Sequence, residues 1–534
     1  MSREERRWCL AFGIILGLAT TLPYVWAYYR EGDAWRFSGF VFGVEDGNSY
    51  LAKMLQGAYG AWLFRTPYTT APQNGILAFL PYLLLGKLAA GVALHEQLIA
   101  LFHAARFLAT PLAVLATYSF AARLVKEVAW RRWATVLASV GGGVGWILVL
   151  LGSGNIYGSL PLEFYSPETF GFLAYLGLPH LVVARGLLLL GLAWYLDASR
   201  EPRRAGWAGA AFLLLGFFQP LAVVSAWVVI LAHHLLTFAL QLRNETVSPP
   251  PIRTTLLVLL ISSPALIYYG WLSLADPFVR AWNAQNIIRS PHPIHYLLAY
   301  GPLTVMALVG IIRLPLRGSA LLAIGWLLSL PFLAYAPVQL QRRLPDGVWA
   351  AIVVLAAAAL ESTPVRSPRR LGLGLAVITL PSAILLFSGS LRTANHPQTP
   401  SFVPSDAAEA YGALSSLTSG GEVVMASFET GNVLPAWAPV RVLIGHGPES
   451  VGLTEARTQV ETFYAANTTD EVRRSILDAH EVRFVFAGPP ESSLGDWEPA
   501  GAPYLEPVYS SGPYRIFAVI DQPSQAAMDN DGGK

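Results

Sequence analysis

The chain is short of charge and has almost no cysteine. Asp, Glu, Lys and Arg together make up 13% of its 534 residues, about half the roughly 25% that clothes an average soluble domain. That deficit excludes a wholly water-soluble globule. It is also uneven: from Trp8 to Gly389 apolar runs alternate with short polar loops, and from Ser390 onward polar residues return at ordinary frequency. The one cysteine, Cys9, lies in the first apolar run. No disulfide framework can form within the chain, so a domain outside the membrane must stand on its own core. Walker, dinucleotide-binding, zinc-spacing and nucleophile-elbow patterns are missing too. ATP-driven and redox functions therefore have no motif to rest on, and no nucleic-acid partner is expected.

Apolar residues are abundant instead, at 54% of the chain, with 16 Trp and 22 Tyr, rings that collect at membrane interfaces. A span needs about 20 mostly apolar residues. Eleven runs qualify: 8–29, 97–124, 133–151, 172–196, 205–218, 221–240, 254–275, 296–312, 319–336, 347–360 and 371–388. The first is read as a retained span rather than a cleaved signal. Parity follows from the basic residues, which favour the cytoplasmic side. Arg3, Arg6 and Arg7, then Arg123/Lys126/Arg131/Arg132, Arg200/Arg203/Arg204, Arg243/Arg253, Arg313/Arg317 and Arg366/Arg369/Arg370 share one side only if the apolar stretch 76–94, with Lys87, does not cross. The expectation is eleven spans, N-terminus cytoplasmic, C-terminus outside, in a bacterial plasma membrane.

Beyond residue 404 the periodicity changes. Residues 423–427, 440–444, 482–487 and 514–519 read as strands, and 405–417 and 454–480 as helices, the latter broken near Asn467. Alternating strand and helix predicts a small α/β domain. Gly431-Asn432 and Gly445-His446-Gly447 read as turns. Gly141-Gly142-Gly143 reads as a packing or kink device. The predicted organisation is a polytopic all-α membrane domain over residues 1–389, an extracytoplasmic α/β domain over 390–521, and a disordered tail over 522–534.

The first outer loop carries Gly43-Val44-Glu45-Asp46-Gly47-Asn48-Ser49-Tyr50-Leu51-Ala52-Lys53-Met54. Adjacent carboxylates near a membrane surface are costly unless partners or water satisfy them. One could take a proton from a hydroxyl while the other binds a divalent cation; alternatively Asp46 merely caps a helix beginning near Gly47. The loop runs on through Gly57 to Arg65-Thr66-Pro67-Tyr68. An apolar segment, Arg106 in the next span, a second acidic loop with Glu163 and Glu168, and a C-terminal soluble domain follow. Taken together, these features resemble the GT-C superfamily of membrane glycosyltransferases, such as mannosyl- and aminoarabinose-transferases. The acidic pair here is Glu-Asp where many members have Asp-Glu or Asp-x-Asp, and Ala71-Pro72-Gln73 replaces a common Pro-Pro.

The resemblance implies a hexosyl- or pentosyltransferase that takes sugar from a polyprenyl-phosphate donor on the outer face of the membrane. Asp46 would be the base or metal-linked carboxylate, with Glu45 supporting it. Glu163 or Glu168 would form a second acidic site, and Asp46 and Glu168 would hold a divalent cation, Mg or Mn. An acceptor on a lipid, polysaccharide or protein completes the set. Donor phosphate calls for cations outside, and Arg342-Arg343, Arg289 and His180 are the expected ligands, since guanidinium matches phosphate oxygens bidentately. Interfacial anchoring is the plainer role for such arginines. For Glu168, after Ser166-Pro167, the plainer role is a helix start. A transporter or lipid-binding scaffold is the competing reading. Transporters often show internal repeats, and no repeat is visible here.

Overall fold

The computed structural model describes all residues except 244, 246, 248, 314–317, 363–366 and 521–534. Arg317 and Arg366 of the basic clusters, and the tail expected over 522–534, lie outside the described residues. Two compact units emerge: Met1–Trp26 with Phe102–Ala394, and Ala27–Leu101 with Asn395–Lys534. The division differs from a simple cut near residue 389, because the first loop belongs to the same unit as the C-terminal segment.

Among the described residues, eight helices are long and apolar enough to cross a membrane, as expected of a multi-pass membrane protein. Two further runs form shorter apolar helices, Arg204–Phe218 and Gly318–Ala334. The run 133–151 is not one span. It breaks between the helices Val128–Val140 and Gly145–Leu150 at the three glycines, where a Cβ on Gly143 would stand 2.4 Å from Ala299 Cα. Backbone donors at the break find distant carbonyls: Gly142 N donates to Thr379 O at 2.8 Å and Val144 N to Leu298 O at 3.0 Å. The run 172–196 also divides, because Pro179 opens a new helix, Pro179–Asp197.

The helix Val348–Ser362 belongs to the candidate span Gln341–Ser362, and every residue from Val348 to Leu360 is buried. A helix apolar on all sides belongs in an interior, and its alanines let neighbours approach closely. It packs against Ile294–Arg313, Val128–Val140 and Gly318–Ala334. Arg106, also fully buried, donates to Thr20 Oγ1, Thr21 Oγ1 and Tyr175 O at 2.7–3.0 Å, so it ties helices together inside this unit.

The second unit is α/β. Its small ribbon pairs β1 (Trp35–Phe37) antiparallel with β2 (Phe402–Pro404). The main sheet contains β3 (Val423–Met425), β4 (Arg441–Val442), β5 (Val482–Ala487), β6 (Leu505–Ser511) and β7 (Tyr514–Val519), in the order β4-β3-β5-β7-β6. β3 is parallel to β4 and β5, while β7 is antiparallel to β5 and β6. Helices Ser405–Leu417, Leu453–Tyr464 and Asp470–Ala479 fall where the sequence places them, with the break near Asn467. Two expectations change. Gly431 and Asn432 are inside the helix Phe428–Trp437, not a turn. β6, unforeseen because Pro507 interrupts it, is an edge strand whose register shifts at that proline, which is where a sheet tolerates a missing N–H.

Within the stretch 76–94 the helix Leu80–Gly86 is seven residues or about 10 Å long, too short to span, and Leu94 already opens the next helix, Leu94–Ala121. The helix Leu80–Gly86 crosses the loop helix Val44–Ala58 through two glycines. A Cβ on Gly57 would lie 2.0 Å from Leu83 O, and one on Gly86 would lie 1.7 Å from Met54 O. Both obstacles are backbone, so they cannot rotate away. Gly86→Ala should therefore lower the unfolding free energy of this unit by about 1–3 kcal/mol, read as a drop in the melting midpoint of the purified protein; an unchanged midpoint would refute the close crossing.

Candidate functional site

Within the second unit, the loop helix Val44–Ala58 starts earlier than the sequence suggests. Its cap position is Gly43, in the left-handed region at φ 58, so Asp46 is a first-turn residue and not the cap. Asn48, Ser49, Ala52 and Lys53 are buried along one side of this helix, three to four residues apart. That side packs on the C-terminal segment. Ala52 and Tyr68 enter a core with Tyr411, Val424, Leu434, Val442 and Phe486.

The polar contacts on this side are specific. Lys53 Nζ is 2.5 Å from Glu449 Oε1, with both side chains buried. Ser49 Oγ donates to the same oxygen at 2.7 Å, and Thr66 Oγ1 donates to Glu449 Oε2 at 3.0 Å. Lys53 also lies 4.4 Å from the Phe79 ring centroid. Burial alone would raise the Glu449 carboxyl, but the Lys53 charge and the His446 hydrogen bond hold it well below the usual range. His446, 5% exposed, has Nε2 3.1 Å from Asp46 Oδ1 and Nδ1 3.2 Å from Glu449 Oε1. Burial opposes its charge; the hydrogen bonds to Asp46 and Glu449 and the Glu449 charge outweigh that and lift it to about 9. His446 is thus an imidazolium at neutral pH. The Asp46 side chain it holds is 60% exposed.

Backbone geometry sets this arrangement. The loop 443–450 follows β4, at the carboxyl end of a parallel strand, where α/β sheets place their sites. Gly431 and Gly445 let the loop press on the helix Phe428–Trp437: a Cβ on Gly445 would be 2.3 Å from Gly431 C. Asn432 then reaches the loop helix, accepting from Asn48 Nδ2 at 2.8 Å and donating to Glu45 O at 3.2 Å. Gly447 N donates to Glu45 Oε1 at 3.1 Å, so both carboxylates of the acidic pair meet the same loop. His446 and Glu449 are not among the residues that the sequence singles out for chemistry. The one available signal is two ionisable residues just beyond a strand, in a segment otherwise read as a turn.

The remaining expected residues lie in the first unit, in separate environments. Glu168 Oε1 is 3.1 Å from Arg343 Nε, and Arg185 Nη2 donates to the Pro167 and Glu168 carbonyls at 3.1 and 2.9 Å. Glu168 sits in a turn before the helix Gly171–Gly177, not in its first turn. Glu163 is elsewhere: its Oε1 accepts from Gly145 N at 2.8 Å, and burial pushes the carboxyl up. Arg342 does not pair with Arg343 on one partner; its guanidinium lies 4.9 Å from the Tyr165 ring centroid. Arg289 is exposed, next to Ile288, whose backbone bonds to Gln339 and Arg342. His180 is half-buried in the first turn of Pro179–Asp197.

The donor set does not fit a ready-made cation site. Among the described residues, no three His, Cys, Asp or Glu side chains gather where one ion could hold them. Asp46 Oδ1 is 3.1 Å from His446 Nε2, and Glu168 Oε1 is 3.1 Å from Arg343 Nε.

No known family pattern matches the sequence, and no curated protein is similar to it. Solved structures do match. The oligosaccharyltransferase of Archaeoglobus fulgidus, in complex with Zn and sulfate, superposes with a TM-score of 0.53 at 14% identity, over 95% of this chain and 73% of that one. The mycobacterial arabinofuranosyltransferase AftD gives 0.54 at 15%, over 98% of this chain and 42% of its own. ArnT from Cupriavidus metallidurans, bound to undecaprenyl phosphate, gives 0.50 at 12%, over 95% and 97%. With this backbone path and its apolar helices, the chain has the fold of the GT-C glycosyltransferases.

Proposed function

We propose that this protein is a membrane glycosyltransferase that moves a sugar from a polyprenyl-phosphate donor to an acceptor hydroxyl, on the extracytoplasmic face of a bacterial plasma membrane. The observation that carries this reading is the exposed Asp46 carboxylate held by a buried imidazolium, in a chain with the GT-C fold. Binding of undecaprenyl phosphate by ArnT supports the donor class. The basic clusters support the orientation, with the N-terminus inside.

The chemistry is a single displacement. Asp46 takes the proton of the acceptor hydroxyl as that oxygen bonds to the anomeric carbon. The bond from this carbon to the phosphate oxygen breaks, and its electron pair leaves on polyprenyl phosphate. One base with no separate nucleophile gives inversion. Glu45, fastened to Gly447 N, adds negative potential beside the base. In the membrane unit, Arg342, Arg343, Arg289 and His180 are the assigned ligands of the donor phosphate, with Arg342 foremost because Arg343 already answers Glu168. Glu168 acts by orienting Arg343, and Glu163 by holding the broken helix at Gly145. The acceptor belongs to a lipid, polysaccharide or protein.

The test is binding and turnover of a panel of polyprenyl-monophosphate sugars. Asp46→Asn should cut turnover by about 10²–10⁴-fold while leaving donor affinity near wild type. Arg342→Ala should weaken donor binding by roughly tenfold to a hundredfold, the worth of a charged hydrogen bond. If no donor binds and both variants behave as wild type, the transferase reading is wrong and a transport or lipid-binding role takes its place.

A further inference from the structure

We infer that His446, braced by Glu449, is the positioning residue for Asp46, so that the loop 443–450 of the C-terminal segment is part of the catalytic apparatus. The inference rests on the transferase reading above.

Asp46 stands in the first turn of its helix with 60% of its side chain exposed. A general base must stay within hydrogen-bond reach of the hydroxyl it serves. His446 constrains it because the ring cannot itself swing. Its ring is buried, and its backbone N donates to Ser450 Oγ at 3.4 Å. Its far nitrogen is 3.2 Å from Glu449. Glu449 in turn is gripped on one oxygen by Lys53 and Ser49 and on the other by Thr66. Fixed contacts therefore run from the loop helix through Glu449 and the imidazole back to Asp46 on that same helix.

The two ring nitrogens have different surroundings. Nε2 is within hydrogen-bond reach of Asp46 Oδ1 at 3.1 Å, while Nδ1 stands 3.2 Å from Glu449 Oε1, off the line of a hydrogen bond. The groups facing the ring are Asp46, Glu45 and Lys53 from the loop helix, Tyr68 with its ring centroid 5.5 Å away, and Glu449 from the loop itself.

The roles divide cleanly. Asp46 receives the acceptor proton, while His446 keeps its own protons throughout and holds the carboxylate. His446 is a positioning residue, and its signature differs from that of a packing residue. Its loss should lower kcat and leave donor KM in place, and a side chain that keeps an N–H toward Asp46 should restore the rate.

The experiment compares wild type, His446→Gln and His446→Leu, with kcat and KM measured beside the melting midpoint. Glutamine keeps an N–H for Asp46; leucine does not. The expected result is a kcat roughly tenfold to a hundredfold lower in His446→Leu with donor KM within about threefold of wild type, a share of what a positioned base contributes. His446→Gln should recover most of that kcat. If folded His446→Leu turns over as wild type does, the positioning role is overturned while the transferase reading survives. Should His446→Leu fail to fold, a folded His446→Gln variant whose kcat falls as far as that of Asp46→Asn overturns it equally. If the wild type moves no sugar at all, the transferase reading falls, and the positioning role with it.

Discussion

The buried ion pair between Lys53 and Glu449 governs the second unit. Taking two charges out of water costs several kcal/mol per ion unless geometry and further hydrogen bonds compensate. Here Ser49, Thr66 and the imidazolium of His446 complete the shell of Glu449, and the Phe79 ring faces the ammonium. Removing either partner of such a pair typically costs about 3–5 kcal/mol, because the other charge is left buried alone. Few registers of the loop helix satisfy both ions, so the pair fixes where Asp46 stands. The glycines at 57, 86, 431 and 445 serve the same end by letting backbones approach.

The membrane unit solves a different problem. Lipid offers its helices no hydrophobic drive to associate, so contact comes from close packing and from polar groups satisfied internally. The alanine-rich helix Val348–Ser362 provides the first, and Arg106, spread over Thr20, Thr21 and Tyr175, provides the second. Glu168 and Arg343, with Arg185 on the neighbouring carbonyls, form another satisfied set. Leu108, Leu112, Ile267 and Val305 remain exposed, as lipid-facing side chains do.

Much of this was readable in the residues, and the limits have physical causes. Apolar runs mark helices because length and composition are local properties; hence the long spans, and hence β5 and β7, whose bounds are those expected. Breaks were harder. At the break Gly141–Gly143, the room Gly143 leaves is taken by Ala299 and its donors bond to Thr379 and Leu298, facts held in other helices. β6 escaped because Pro507 is costly everywhere except at an edge, and edge position is a tertiary property. The acidic pair stood out by the cost of its charge. Its partners did not: His446 is 400 residues from Asp46, and Glu449 is 396 from Lys53.

The same separation in sequence bears on how the protein is made. β1 finds its partner in Phe402–Pro404, and Lys53 finds its counter-ion only at Glu449. The ribosome delivers the N-terminal halves of these pairs first, and all the intervening helices must be threaded into the bilayer before their partners exist. Until then a lysine and an acidic pair wait in water, where charge is cheap and the loop helix has no reason to set. A nascent chain would carry a nearly complete membrane portion with no organised carboxylate at its surface. The shell around Lys53 would therefore form late and all at once, when residues 443–450 arrive.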